Sequence, residues 1–408
     1  MLVTSLPDKK TALSGYKKET GDELVALLSW WINNMPDHKF GGFYGRVNND
    51  NIPDFSAPKG IVLNSRILWT FSAASQYSDN EQCLEIATRA FNYISTHFID
   101  QEYGGVFWSV DQKGKMLDGK KQIYGLAFCM YGLAEYYKVT SNEAALQLAK
   151  NLFANIEKFS FDKINGGYTE AFTRQWQPID DLRLSDKDSN EKKTMNTHLH
   201  IIEAYANLYQ IWPEIFLREK INNLLTIFQK YFINKNNHHL NLFLTEDWEI
   251  KSSVQSFGHD VEASWLLYEC AEISGNELYV DQYKKVALQL ADTAAAAVDT
   301  DGGMWYEYDP EIDRWIKEKH SWPQAEAMVG FFNAYQLSGE EKYLQLSLDS
   351  WKFVKEHLKD NKKGEWFWGL KEDYSIIQKD KGGFWKCPYH NGRACMELMK
   401  RISLADIK

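Results

Sequence analysis

The sequence predicts an all-α fold, an (α/α)6 barrel of six inner and six outer helices, with short β-hairpins or strands at one mouth. Three observations predict it. Clusters of two glycines and an aromatic residue recur about every 60 residues, and a fixed period of this kind dictates architecture. Between the clusters lie pairs of apolar-periodic segments, one amphipathic and one apolar nearly all round, as outer and buried helices require. No Pro- or Ser-rich linker interrupts the 408 residues, so the chain reads as one domain although its length alone suggests two or three.

Taken in order, the markers are Gly41-Gly42-Phe43-Tyr44, Gly104-Gly105-Val106-Phe107-Trp108, Gly166-Gly167-Tyr168, Gly302-Gly303-Met304-Trp305-Tyr306 and the looser Gly364-Glu365-Trp366-Phe367-Trp368. One gap is twice as long, and His238-His239-Leu240 stands where its glycine pair belongs. After an N-terminal extension over about residues 1–20, the amphipathic segments are 24–35, 83–98, 144–159, 216–232, 279–298 and 342–358. The apolar ones are 61–77, 124–137, 195–211, 261–273, 322–337 and 390–402. Glycine permits positive φ, so the markers read as turns and short strands at the mouth.

Bulk properties exclude several function classes. A formal net charge of −10 argues against a nucleic-acid or anionic-membrane surface. No apolar run approaches the roughly 20 residues of a membrane span, and the first ten residues lack a signal-peptide core. Five scattered cysteines with no CxxC pair fit a reducing cytoplasm and no structural zinc. Aromatic residues make up 14% of the chain, and rings in a polar cleft are a platform for the apolar face of a sugar.

If the apolar segments form the inner ring, polar residues at their N-termini converge on one opening, where free N–H groups also gather. Arg66 lies inside the apolar run 61–69 and needs a partner, either an inner-ring carboxylate or a ligand. Tyr124 opens the second inner segment as a core or rim aromatic. Asn196, His200 and Glu203 share one face, and His198 turns away from it. His259 and Glu262 share another face, which lets a carboxylate tune an imidazole. Trp322 and Glu326 stand one turn apart, and Trp385 and His390 flank Pro388 at the last mouth. Three histidines at three mouths, His200, His259 and His390, point to proton transfer, with Arg66 holding oxyanion charge. Zinc binding would favour a compact His-Glu-x-x-His, which does not occur. Glycoside hydrolysis would place two carboxylates across the scissile bond, for which Glu262 and Glu326 are available. A sugar-binding or scaffold protein would have little use for three lumen histidines.

The chain resembles the N-acylglucosamine 2-epimerase superfamily, and within it the branch acting on β-1,4-linked disaccharides. The resemblance is carried by Gly41-Gly42-Phe43-Tyr44-Gly45, Ser65-Arg66-Ile67-Leu68-Trp69, Gly104-Gly105-Val106, Thr194-Met195-Asn196, Gly258-His259-Asp260-Val261-Glu262-Ala263, Gln324-Ala325-Glu326-Ala327 and above all 385–393, Trp-Lys-Cys-Pro-Tyr-His-Asn-Gly-Arg. It implies C2 epimerisation of the reducing glucose of cellobiose, lactose or mannobiose through an enediol, without cofactor or metal. By the same resemblance, His259 and His390 form the acid/base pair, and His200 and Asn196 position the opened sugar. Arg66 holds its oxygens, Glu262 orients an imidazole, and Tyr124, Trp322, Trp385 and Glu326 contact the sugars. An aldose–ketose isomerase and an N-acylglucosamine 2-epimerase of the same superfamily are the alternatives. The chain is expected to be a cytoplasmic monomer or weak homo-oligomer.

Overall fold

The computed structural model describes residues 9–77 and 81–405. Helices follow one another around a ring. The inner helices are α2 (Ile61–Ala74), α4 (Ile123–Thr140), α6 (Met195–Tyr209), α8 (Phe257–Ser274), α10 (Ser321–Ser338) and α12 (Tyr389–Ala405). Each packs against the next, and α12 closes the ring against α2. The outer helices are α1 (Lys9–Asn34), α3 (Glu81–Tyr93), α5 (Glu143–Asn155), α7 (Ile215–Ile227), α9 (Glu277–Ala295) and α11 (Glu341–Phe353). The outer helices α3, α5, α7, α9 and α11 each lie on the inner helix that precedes them, and α1 lies on α12. This is the (α/α)6 barrel the periodicity predicts.

The apolar-all-round pattern has its expected cause. Every residue of α2 is buried, whereas α3 buries one stripe of Cys83, Ile86, Ala87, Ala90, Phe91 and Tyr93 and leaves its other face partly or fully exposed. Two boundaries differ from expectation. Residues 9–20 are the first turns of α1, with Leu13, Tyr16 and Thr20 buried, and residues 1–8 lie outside the described part. Gly258 belongs to α8 and not to a loop.

Short antiparallel strands set five of the six inner-helix N-termini at one mouth; among the described residues none leads into α12. The strands β1 (Lys59–Gly60), β4 (Lys121–Gln122), β6 (Lys193–Thr194), β8 (Gln255–Ser256) and β11 (Lys319–His320) each lead directly into an inner helix. They pair with β2 (Ser109–Val110), β5 (Ala171–Phe172), β7 (Phe243–Leu244), β9 (Glu307–Asp309) and β12 (Gly369–Leu370), which follow the next marker; β3 (Met116–Asp118) and β10 (Arg314–Ile316) extend two of these pairs.

A lysine–aspartate pair locks five of the six marker loops to the segment leading into the following inner helix. Asp37 accepts the backbone N–H groups of Lys39 and Phe40 on one oxygen and Lys59 Nζ, at 2.7 Å, on the other. The pairs Asp100–Lys121, Asp162–Lys193, Asp299–Lys319 and Asp360–Lys381 repeat the device at 2.6–2.9 Å. In the fourth unit Gln255 stands where the lysine would be, and the polarity reverses. Asp260 of α8 takes His239 Nδ1 at 2.7 Å, and His238 supplies the positive φ (59°) of the missing glycine. Gly42 shows why glycine is usual here: its φ is +60°, and an added Cβ would lie 2.6 Å from the Tyr93 ring.

Candidate active site

The mouth opens into a cavity of about 480 Å³, lined by residues from the N-terminal turns of the inner ring and from loops 184–188 and 379–387. His200, His259 and His390 all line it, together with Arg66, Tyr124, Asn196, Glu262, Trp322 and Trp385. A second, more open hollow of about 910 Å³ lies outside, against α3; its Arg89 is engaged by the carbonyl oxygens of Asp37 and Gly42.

A common helical register places the site. The sixth residues of α2, α4, α6, α8 and α10 are Arg66, Phe128, His200, Glu262 and Glu326, so a ring of large or charged side chains forms at one depth. The second residues include Tyr124, Asn196 and Trp322. In α8 the second residue is Gly258, where a Cβ would come within 2.5 Å of the Trp322 ring. Glycine there admits the indole, which lies between two imidazoles, with centroids 4.9 Å from His259 and 5.6 Å from His390.

Each imidazole has a different backing. His390 donates Nδ1–H to Glu326 Oε1 at 2.6 Å, which leaves Nε2 as the lone-pair nitrogen. His200 donates Nδ1–H to Glu203 Oε2 at 2.9 Å in the same manner. His259 meets only a neutral group on Nδ1, Ser256 Oγ at 2.8 Å. Burial holds all three imidazoles below the usual histidine range, while Glu326 and Glu203 pull His390 and His200 back upward. Near neutral pH the three rings are therefore neutral and able to accept a proton.

Below the rings lies one guanidinium. Arg393 Nη1 donates to Glu203 at 2.5 Å, and Nη2 donates to Glu262 at 3.0 Å and to Glu326 at 2.6 Å. Burial raises the Glu326 carboxyl, but Arg393 and His390 outweigh it and hold it well below its ordinary value. Glu262 goes the other way, raised by burial and by neighbouring Glu326. Among the described residues, Glu262, Glu326 and His390 form the one group that brings three metal-type ligand atoms within 4.8 Å; Arg393 already places its positive charge on both carboxylates.

Arg66 resolves the choice left open by its sequence context. Among the described residues no carboxylate pairs with it. Its Nη2 donates to Tyr124 Oη at 2.8 Å, Nη1 approaches Cys387 Sγ at 3.6 Å, and buried Nε has no partner. The guanidinium is thus open to ligand oxygens.

Two placements differ from expectation. Glu262 does not hold His259, because that ring turns to Ser256, and Glu262 Oε1 lies 3.9 Å from His390 Nδ1. Glu326 does not line the cavity; it is 1% exposed behind His390 and also accepts Trp265 Nε1. Asn196 lines the cavity, while the partner of His200 is Glu203. Arg393, which gathers these carboxylates, and Tyr389, which donates to Glu203, are site residues beyond those the sequence indicates. The register holds the signal: His390 and Arg393 are spaced as His259 and Glu262 are.

His198 sits apart from the chemistry. Nε2 accepts the Tyr168 backbone N–H at 2.9 Å and Nδ1 donates to Thr194 O at 2.7 Å, and burial drives its pKa down to about 3. Asp260 and Gln324 take the N–H groups of Leu240 and Met304 from the same helical position.

Residues 42–394 match the family model for N-acylglucosamine 2-epimerase (GlcNAc 2-epimerase). A cellobiose 2-epimerase of Bacteroides fragilis is 46% identical over 385 residues, 94% of this chain and 98% of that protein. The structure of the cellobiose 2-epimerase from Bacillus thermoamylovorans B4167 superposes with a TM-score of 0.91 at 36% identity, over 95% of this chain and 100% of that one. The corresponding enzyme from Spirochaeta thermophila DSM 6192 gives 0.91 at 38% identity, over 98% and 100%.

Proposed function

The chain belongs to the N-acylglucosamine 2-epimerase family, and we propose that it inverts C2 of the reducing-end sugar of β-1,4-linked disaccharides. One observation carries the reading: two imidazoles flank a single indole in the cavity, with an arginine free of carboxylates nearby.

In this mechanism the reducing glucose enters the lumen and the second sugar lies toward the mouth, against Trp322 and Trp385. A histidine takes the O1 hydroxyl proton and delivers it to the ring oxygen as the C1–O5 bond breaks, which opens the sugar to its aldehyde. One of His259 and His390 removes the C2 proton, which the adjacent carbonyl acidifies. Arg66 and Tyr124 Oη hold the enediol oxygens, and His200 and Asn196 keep the open chain in place. Rotation about C2–C3 presents the opposite face, where the second imidazole, having taken up a solvent proton in place of the one its partner releases to solvent, protonates the carbon. Glu326 orients His390 and stabilises its imidazolium form. The carbonyl is the electron sink, so the route uses no cofactor.

The ring closed by α12 on α2 supports treating the chain as one catalytic domain. No helix among the described residues is long and apolar enough to cross a membrane; five scattered cysteines, all buried, support a cytoplasmic setting.

Incubation with cellobiose or lactose in deuterated water tests the function. The expected product is an intact disaccharide epimeric at C2 and carrying deuterium at that carbon. Release of monosaccharides or accumulation of a ketose would replace the reading with hydrolysis or isomerisation. Label-free epimer would exclude the proton-transfer route.

A further inference from the structure

The last marker departs from the others in a way that leads to the cavity wall. In the first three units both marker residues are glycines with positive φ, from Gly41 (80°) and Gly42 (60°) to Gly166 (75°) and Gly167 (76°). In the last, Gly364 (78°) is followed by Glu365 at φ +61°, a conformation that costs energy for any residue with a Cβ. Such outliers persist where the surroundings over-determine them, and they cluster at functional sites.

The Glu365 side chain supplies the reason. It is 3% exposed, and Oε1 accepts Lys386 Nζ at 2.6 Å, Asn391 Nδ2 at 2.7 Å and the Trp366 N–H at 2.8 Å, while Oε2 accepts Trp31 Nε1. In the third, fourth and fifth units the N–H after the marker goes directly to a side chain of the inner helix, His198, Asp260 or Gln324. Asn391 has the matching place, directly after His390 as Asp260 follows His259. The Glu365 carboxylate is inserted between that side chain and the Trp366 N–H. It thereby gains hold of both ends of the segment 386–391, which carries Cys387 and His390 and directly follows Trp385, all of them cavity-lining.

We propose that Glu365 is a positioning residue, whose carboxylate fixes Lys386 and Asn391 and through them sets the sugar-contacting wall at Trp385. The inference rests on the cavity being the sugar site. His390 keeps its own bond to Glu326, so loss of Glu365 acts on binding more than on chemistry.

Two variants test it. E365G restores the residue found at Gly42, Gly105 and Gly167, so the turn loses its strain together with the carboxylate; E365Q keeps the shape and removes the charge. Residues behind a first contact layer typically contribute about 10–100-fold, and both variants are expected to raise KM for cellobiose about tenfold with kcat within about threefold. The double variant E365Q/K386M removes both buried charges and is expected to regain thermal stability but not KM. An unchanged KM in E365G would overturn the proposal, as would recovery of wild-type KM in the double variant, which would reduce Glu365 to a counterion. Failure of all three variants to fold would likewise place its role in folding. If the wild-type protein leaves cellobiose unchanged, the functional reading has failed instead.

Discussion

The two sides of the cavity are backed differently. His390 rests on a carboxylate that is itself tied to Arg393, and so to Glu203 and Glu262; His259 rests on a serine hydroxyl. An imidazolium forms at lower cost on the His390 side, where a negative charge lies 2.6 Å away, than on the His259 side, where the direct partner is a dipole and the Glu326 charge acts only from a distance. A pair of bases serving opposite faces of one carbon therefore need not be equivalent. Proton affinity is set by what lies behind each ring.

The broadest break removes one side altogether. H390A and H259A should each lose about 10²–10⁴-fold in epimerisation rate, read as epimer formed from cellobiose. Ordinary turnover in either variant would end the two-base reading. E326Q sharpens the asymmetry by discharging the backing while keeping its shape. A loss of about 10–100-fold in kcat is expected. Glu326 raises the proton affinity of His390, so without its charge the ring stays deprotonated to lower pH. The acid limb of kcat/KM should then move to lower pH; a limb that stays put would show that His390 does not control it. S256A is the matched change on the other side. With only a neutral hydrogen bond lost, worth about 0.5–1.5 kcal/mol, the rate should drop severalfold and the pH limb should not move.

The smallest effect belongs to the imidazole that takes no part in the chemistry. His198 is held neutral, with its pKa lowered to about 3 in the folded protein against 6.5 ordinarily. Its contribution to stability is complete above pH 6.5 and is lost as the pH falls toward 3. H198Q copies Gln324, which accepts the Met304 N–H and donates to His320 O from the equivalent position. The variant should fold, stay active and show a shallower fall of Tm between pH 6.5 and 4. Loss of activity without loss of fold would make His198 more than a structural bond.

Much of this was legible beforehand, because helical periodicity and the Gly-Gly-aromatic period are local patterns that survive without coordinates. The choice of His200 over His198 followed from the face shared with Glu203, and that face points into the cavity. Glu262 illustrates the limit. Spacing paired it with His259, three residues earlier on one helix, yet its bonded partner is Arg393, 131 residues away. Arg393 shows the same limit: its spacing from His390 repeats that of Glu262 from His259, but only the closed ring shows that it gathers Glu203, Glu262 and Glu326.

By itself the sequence determined the barrel, the mouth from which the site opens and the three histidines that meet there, because these follow from which face of each helix is apolar. Which carboxylate stands behind which imidazole, and whether a buried charge is left for a ligand, was decided only by the closed ring. Those contacts join different helices at a common depth, and their geometry exists only once the ring has closed.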